Sequence, residues 1–103
     1  MMLDSTTTMG VALLPPTSHR ERDDNFTGLV YQANNWRVII CKDSIQWIIQ
    51  SKPRKTTRSD AWKAVSYFVT RKALMRVWRG ATGDSNGSIA LGKLPERIGG
   101  GHD

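Results

Sequence analysis

The chain has a single cysteine, Cys41, so no disulfide can form within it. That excludes the small disulfide-stapled scaffolds. No apolar run approaches the ~18 residues of a membrane helix. The patch Val11-Ala12-Leu13-Leu14 is stopped by Pro15-Pro16 and lacks a cationic start, so it does not make a secretory signal. Histidine is scarce: His19 and His102 only, both in segments expected to be tails. No ordered general base is therefore evident. No His/Cys/Asp cluster has the spacing of metal ligands, and no phosphate-cradling glycine loop is present. A length of 103 residues leaves no room for a two-domain enzyme, a large cofactor fold or an α/β barrel. The expectation is a soluble, cytoplasmic, non-enzymatic binding module. It has no catalytic residue, no cofactor, no metal and no membrane contact.

Acidic residues are the other shortage, and a local one. Across the chain the balance is +6. Residues 1–35 sum to −2, 36–51 to +1 and 80–103 to −1. Residues 52–79 carry Lys52, Arg54, Lys55, Arg58, Lys63, Arg71, Lys72, Arg76 and Arg79 against Asp60 alone, a local +8. Such asymmetry bears on partners and steering rather than on fold.

Residues 1–25 read as an N-terminal tail, with Leu13 and Leu14 as its apolar anchors and 20–24 as a mixed-charge hinge. Residues 81–103 read as a Gly-rich C-terminal tail, since seven of the nine glycines lie between Gly80 and Gly101. Ile89, Leu91, Leu94 and Ile98 could dock a short piece of it. Residues 26–80 form the expected domain. Thr27–Gln32 is a short β-prone run, and Asn34-Asn35 favours a turn. Trp36–Cys41 and Gln46–Gln50 are rich in β-branched and aromatic residues, and Lys42-Asp43-Ser44 between them makes a hairpin. Residues 51–61 are a basic loop, because Pro53 cannot join a central ladder. Trp62–Val69 returns to strand composition. Thr70 stands where an N-cap belongs, before a helix from Arg71 to Arg79 closed by Gly80. The fold class is α+β: a small three- or four-stranded antiparallel sheet, one C-terminal helix packed on one face, and flexible tails. The helix covers one face and the other is expected to be open; Val38 and Ile40 oppose Arg37, Ile39 and Cys41 across the strand, and because both sets contain apolar residues, alternation does not name the buried one.

All four tryptophans lie between residues 36 and 78. Trp36, Trp47 and Trp78 read as core. Trp62, after the basic loop and flanked by Asp60 and Lys63, is the candidate for a surface role, stacking on a base or anchoring an interface. Cys41 reads as a small buried hydrophobe. The basic stretch is either a solvated loop or a phosphate-binding surface in which each cation displaces a counterion. An acidic protein would be attracted equally well. The candidate binding residues are Arg37, Lys52, Arg54, Lys55, Arg58, Trp62, Lys63, Lys72, Arg76 and Arg79. Arg71 and Lys72 sit in the first helical turn, where the dipole disfavours cations by ~0.3–1 kcal/mol each and an anionic partner would relieve the cost.

Two resemblances bear on these residues. W-R-V-I-I-C-K-D-S-I-Q-W-I-I-Q at 36–50, followed by S-Y-F-V-T-R-K-A-L at 66–74, resembles a group of small uncharacterised bacterial and prophage-borne proteins. That resemblance implies a bacterial or mobile-element origin and hence a bacterial host cytoplasm. In layout, a hairpin, a third strand ending F-x-T-R and an A-L helix are similar to AP2-like, integrase-type DNA-binding domains. Carried over by position, that similarity implies that Arg37, Gln46, Gln50 and Lys63 on the sheet face DNA. The longer, more basic second connection and Lys72 at the helix start depart from that pattern. The leading expectation is a nucleic-acid-binding module, for DNA above RNA. The alternative is an anti-CRISPR-type inhibitor that grips a nucleic-acid-handling protein complex, with Arg58 and Trp62 as hot spots. A homodimeric structural module is a third reading, because so small a core is marginal alone.

Overall fold

The fold is that of a computed structural model, which describes residues 17–99. Four strands follow one another: β1 (Leu29–Ala33), β2 (Trp36–Ile40), β3 (Trp47–Ser51) and β4 (Lys63–Phe68). Each pairs antiparallel with the next, so spatial order equals chain order. Two helices come after them, α1 (Arg71–Thr82) and α2 (Asn86–Leu91). This is a small α+β fold.

The turns follow from residue type. Asn34 adopts a positive φ of 56° between β1 and β2, which asparagine tolerates better than most residues. In the β2–β3 hairpin, Ser44 takes φ 58°, and the register pairs Arg37 with Gln50, Val38 with Ile49 and Ile39 with Ile48. Two-residue alternation then sorts the side chains. Val38, Trp47 and Ile49 face the helices and form the main core with Leu74 and Trp78 of α1 and Leu91 of α2, all 1% exposed or less. Fully burying an aliphatic side chain of this size contributes ~1.5–3 kcal/mol. On the opposite face Ile39, Cys41 and Ile48 pack with Phe26. Both faces of the hairpin are therefore buried, which explains why its apolar residues do not alternate with polar ones.

The hairpin, the strand after the loop and the Thr70 cap stand as the sequence predicts. Thr70 is extended, and its Oγ1 accepts the Ala73 N–H at 3.3 Å. The helix end is corrected. α1 runs through Gly80 to Thr82 and closes at Gly83, whose φ of 69° and N–H to the Arg79 carbonyl make the left-handed cap. Gly80 has no positive φ and continues the helix.

The extent of the tails is also corrected. Within the described part of 81–103, α2 buries Leu91, while Leu94 and Ile98 pack against the same core. Ile89 stays 68% exposed. Gly87 makes the packing of α2 feasible: a Cβ there would collide with the Trp78 indole nitrogen. Tyr31 Oη donates to Asp84 Oδ2 at 2.9 Å, tying the start of α2 to β1. Farther on, the Arg71 N–H donates to the Glu96 carbonyl and the Ile98 N–H to that of Val69. At the other end, residues 18–26 form a strap across the second sheet face. Ser18 and Phe26 bridge, and the Asp24 N–H donates to the Ser59 carbonyl at 2.7 Å. The expectations for residues 1–16 and 100–103, including Leu13, Leu14 and His102, lie outside the described residues. No helix among the described residues is long and apolar enough to cross a membrane.

Candidate functional site

The candidate residues fall into three groups with different surroundings. The first is buried. Arg37 is 0% and its cross-strand neighbour Gln50 2% exposed. Arg37 Nε donates to Gln50 Oε1 at 2.6 Å. Its terminal nitrogens donate to the carbonyls of Glu21 at 2.9 Å, Asp23 at 3.0 Å and Asp24 at 3.3 Å. Trp62 stacks beneath, its ring centroid 4.2 Å from the guanidinium carbon, and donates its indole N–H to Asp24 Oδ1 at 2.7 Å. The same oxygen receives Lys52 Nζ at 2.7 Å. Burial draws the Arg37 pKa down to about 10, against the pull of Asp24 and Asp23, so the group remains a cation at neutral pH. For Asp24, burial works to raise the pKa. The hydrogen bonds from Lys52 and Trp62 and the charges of Lys52 and Arg37 outweigh it and hold the carboxyl below its ordinary value.

This cluster corrects the exposed placement of Arg37, Gln50 and Trp62. Their polar atoms fasten the strap to the sheet, and the strap covers the face that the AP2-like similarity turns toward DNA. Among the four residues of that similarity, Lys63 is exposed and Gln46 half-buried. Trp62 is 5% exposed and belongs to the interior with Trp47 and Trp78, while Trp36 is half-buried beside the core.

The second group is the loop at 52–62. Arg54 and Lys55 are exposed and have no hydrogen bond or ion pair among the described residues. Arg58 is exposed too, but it grips Asp60 with two nitrogens at 3.0 and 3.2 Å. That grip holds the Asp60 carboxyl below its ordinary value.

The third group lies on α1. Lys72, Arg76 and Arg79 stand at i, i+4 and i+7 on the exposed side, none with a partner among the described residues. Two open grooves meet on this helix. One, about 510 Å³, is lined by Thr70, Arg71, Lys72, Met75, Glu96 and Arg97. The other, about 570 Å³, continues past Lys72 and Met75 to Arg76, Arg79 and Gly80. Together they make one trough with an apolar floor at Met75 and cations along its walls. Arg71 is positioned by donating to the Leu94 carbonyl at 2.7 Å. Among the described residues Glu96 is the only carboxylate lining the trough, and it makes no ion pair there. Arg71, Met75 and Arg97 are absent from the candidates that sequence provides. Arg97 arrives through the Thr70–Arg97 bridge, a long-range pairing without a local signal.

The loop and α1 groups stand apart. In the chain β4 (Lys63–Phe68) lies between them, a strand of roughly 20 Å at 3.3 Å per residue. Among the described residues no group of three His, Cys, Asp or Glu is placed to hold a metal ion, and Cys41 is free and buried. No family model, curated protein or solved structure matches this chain.

Proposed function

We propose that this protein is a non-enzymatic nucleic-acid-binding module whose phosphate-contacting surface is the trough along α1. The observation that carries the reading is the row Lys72, Arg76 and Arg79, exposed, unpaired and extended at one end by Arg71 and Arg97. Uncompensated cations in a row repel one another, and a polyanion removes that cost while releasing its own counterions. The 12-residue helix favours DNA over RNA. The major groove of B-DNA, about 12 Å wide, admits a helix, whereas the deep, narrow groove of A-form RNA does not. This reading moves the interface from the sheet, where the AP2-like similarity puts it, to the helix.

The test is fluorescence anisotropy with labelled duplex DNA, single-stranded DNA and RNA across a salt series. Binding with a steep negative slope of log affinity against log salt, strongest for DNA, is the expected result. No binding of any of the three at low salt would reject the reading.

A further inference from the structure

A separate groove of about 390 Å³ lies at the end of the sheet, where β1 turns into β2 and β3 leaves for the basic loop. That volume is within the usual range for small-ligand sites. Its walls include Gln32, Asn34, Asn35, Asp24, Lys52 and Arg54. Several of these have hydrogen-bonding capacity to spare. Among the described residues the Asn34 side chain makes no hydrogen bond, and Gln32 Nε2 reaches only the Asn34 carbonyl, at 3.4 Å. Asp24 commits Oδ1 to Lys52 and Trp62 and leaves Oδ2 without a partner. Asn35 donates Nδ2 to the Lys52 carbonyl at 3.1 Å, which fixes its orientation, yet its Oδ1 is closed to solvent and has no donor. A buried acceptor without a donor costs free energy until one reaches it. The open acceptors of the groove that lack a donor among the described residues are Asp24 Oδ2, Gln32 Oε1 and Asn34 Oδ1, beside the free amide donors of Gln32 and Asn34, with Arg54 exposed at the rim and Lys55 next to it.

We infer that this groove takes the Watson–Crick edge of one unstacked nucleobase, guanine above the others, with Arg54 and Lys55 on the flanking phosphates. The inference rests on the nucleic-acid reading and adds to it a site for base discrimination. Guanine presents the N1–H and an N2 amino group, three N–H donors against the single acceptor O6. Cytosine and adenine each offer one amino group, and thymine one N–H. Acceptors left without a donor penalise the poorer donors, which is how a polar site discriminates. The amide of Asn34 can donate to O6. Phosphate contacts position a nucleic acid, whereas base contacts specify it. The trough on α1 offers cations for the first task; this groove offers amides and a carboxylate for the second. A base shows this edge only when it is unpaired, in a single strand or extruded from a duplex.

The test uses the full chain and labelled twelve-nucleotide dT strands, unmodified or carrying one central dG, dA or dC. The dG strand is expected to bind roughly five- to a hundredfold more tightly than the others, the range of one good base contact. Gln32→Ala with Asn34→Gly, which keeps the positive φ of the turn, removes that preference, so that the four strands bind alike. Equal binding of all four strands, or a preference for dA or dC, overturns the inference while the phosphate reading stands. If no strand binds, the phosphate reading is decided by duplex DNA and RNA, and the groove is judged alone, by titrating guanosine and cytidine monophosphates against the side-chain amide resonances of Asn34 and Asn35. Shifts with the guanosine nucleotide only support the groove; no shift, or equal shifts with both, overturns it.

Discussion

Arg37 brings a full positive charge into the interior, and it is tolerated because four oxygen acceptors and an aromatic face meet it there. The planar guanidinium fork serves several acceptors at once, which a lysine ammonium cannot do from one point. Arg37→Lys therefore leaves carbonyls of the strap unsatisfied. The expected loss is ~2–4 kcal/mol in chemical denaturation, a large part of the stability of so small a domain. Loss below ~0.5 kcal/mol would mean that the strap is held by other contacts. Asp24 is the second fastener and gives the cluster a pH dependence. Its folded pKa lies below the ordinary 3.8, so its contribution is present above that value and is lost as pH falls through the folded pKa. The stability gap between the protein and Asp24→Asn is thus widest near neutral pH and narrows below pH 3.8, as denaturation curves at stepped pH would record. None of this cluster was legible from composition. An arginine between Trp36 and Val38 reads as an outward-facing charge, and its burial depends on carbonyls 13–16 residues earlier in the chain.

At the scale of elements, local chemistry was readable wherever it was decided locally. The hairpin followed from two β-branched runs and a short polar turn, and α1 from Thr70 and the stripe of Leu74 and Trp78. The end of α1 was not legible, because Gly80 and Gly83 are both plausible stops in sequence and only packing beyond the helix selects between them. The two glycines consequently have opposite responses to alanine. At Gly80 an added Cβ meets nothing within 4 Å and the backbone is helical. Gly80→Ala should stabilise by ~0.5–1 kcal/mol through reduced entropy of the unfolded chain. Gly83 is also sterically open, but its φ of +69° strains any L side chain, so Gly83→Ala should destabilise by about 1 kcal/mol. Thermal melts of the two variants check the pair, and equal signs would contradict the cap assignment. α2 was hidden for a related reason. Asn86-Gly87-Ser88 has poor helix propensity, and the turn exists because Leu91 and Gly87 fit against Trp78.

For the whole molecule, the charge excess legible in sequence as one stretch of +8 is divided by the fold. Lys52 and Arg58 are neutralised by Asp24 and Asp60, Arg71 is tied to carbonyls, and the cations of the stretch without a partner among the described residues are a loop pair, a helix row and Lys63 on β4. Sequence adjacency does not show this division, because it depends on which acid or carbonyl each cation meets in the fold. If the helix row carries the phosphate contacts, each cation that meets a phosphate contributes close to one unit to the salt slope of binding. Neutralising Lys72, Arg76 and Arg79 together by substitution to Gln should lower the magnitude of that slope by about three on DNA. Arg54→Gln with Lys55→Gln should lower it by about 1.4 on single strands that engage the loop. The two effects should add, since the groups lie on different elements and share no partner among the described residues. Glutamine keeps a helix propensity close to that of lysine and arginine, so melting temperatures should change little. A helix triple variant with an unchanged slope would place the phosphate contacts elsewhere and return the α1 trough to the status of a solvated face.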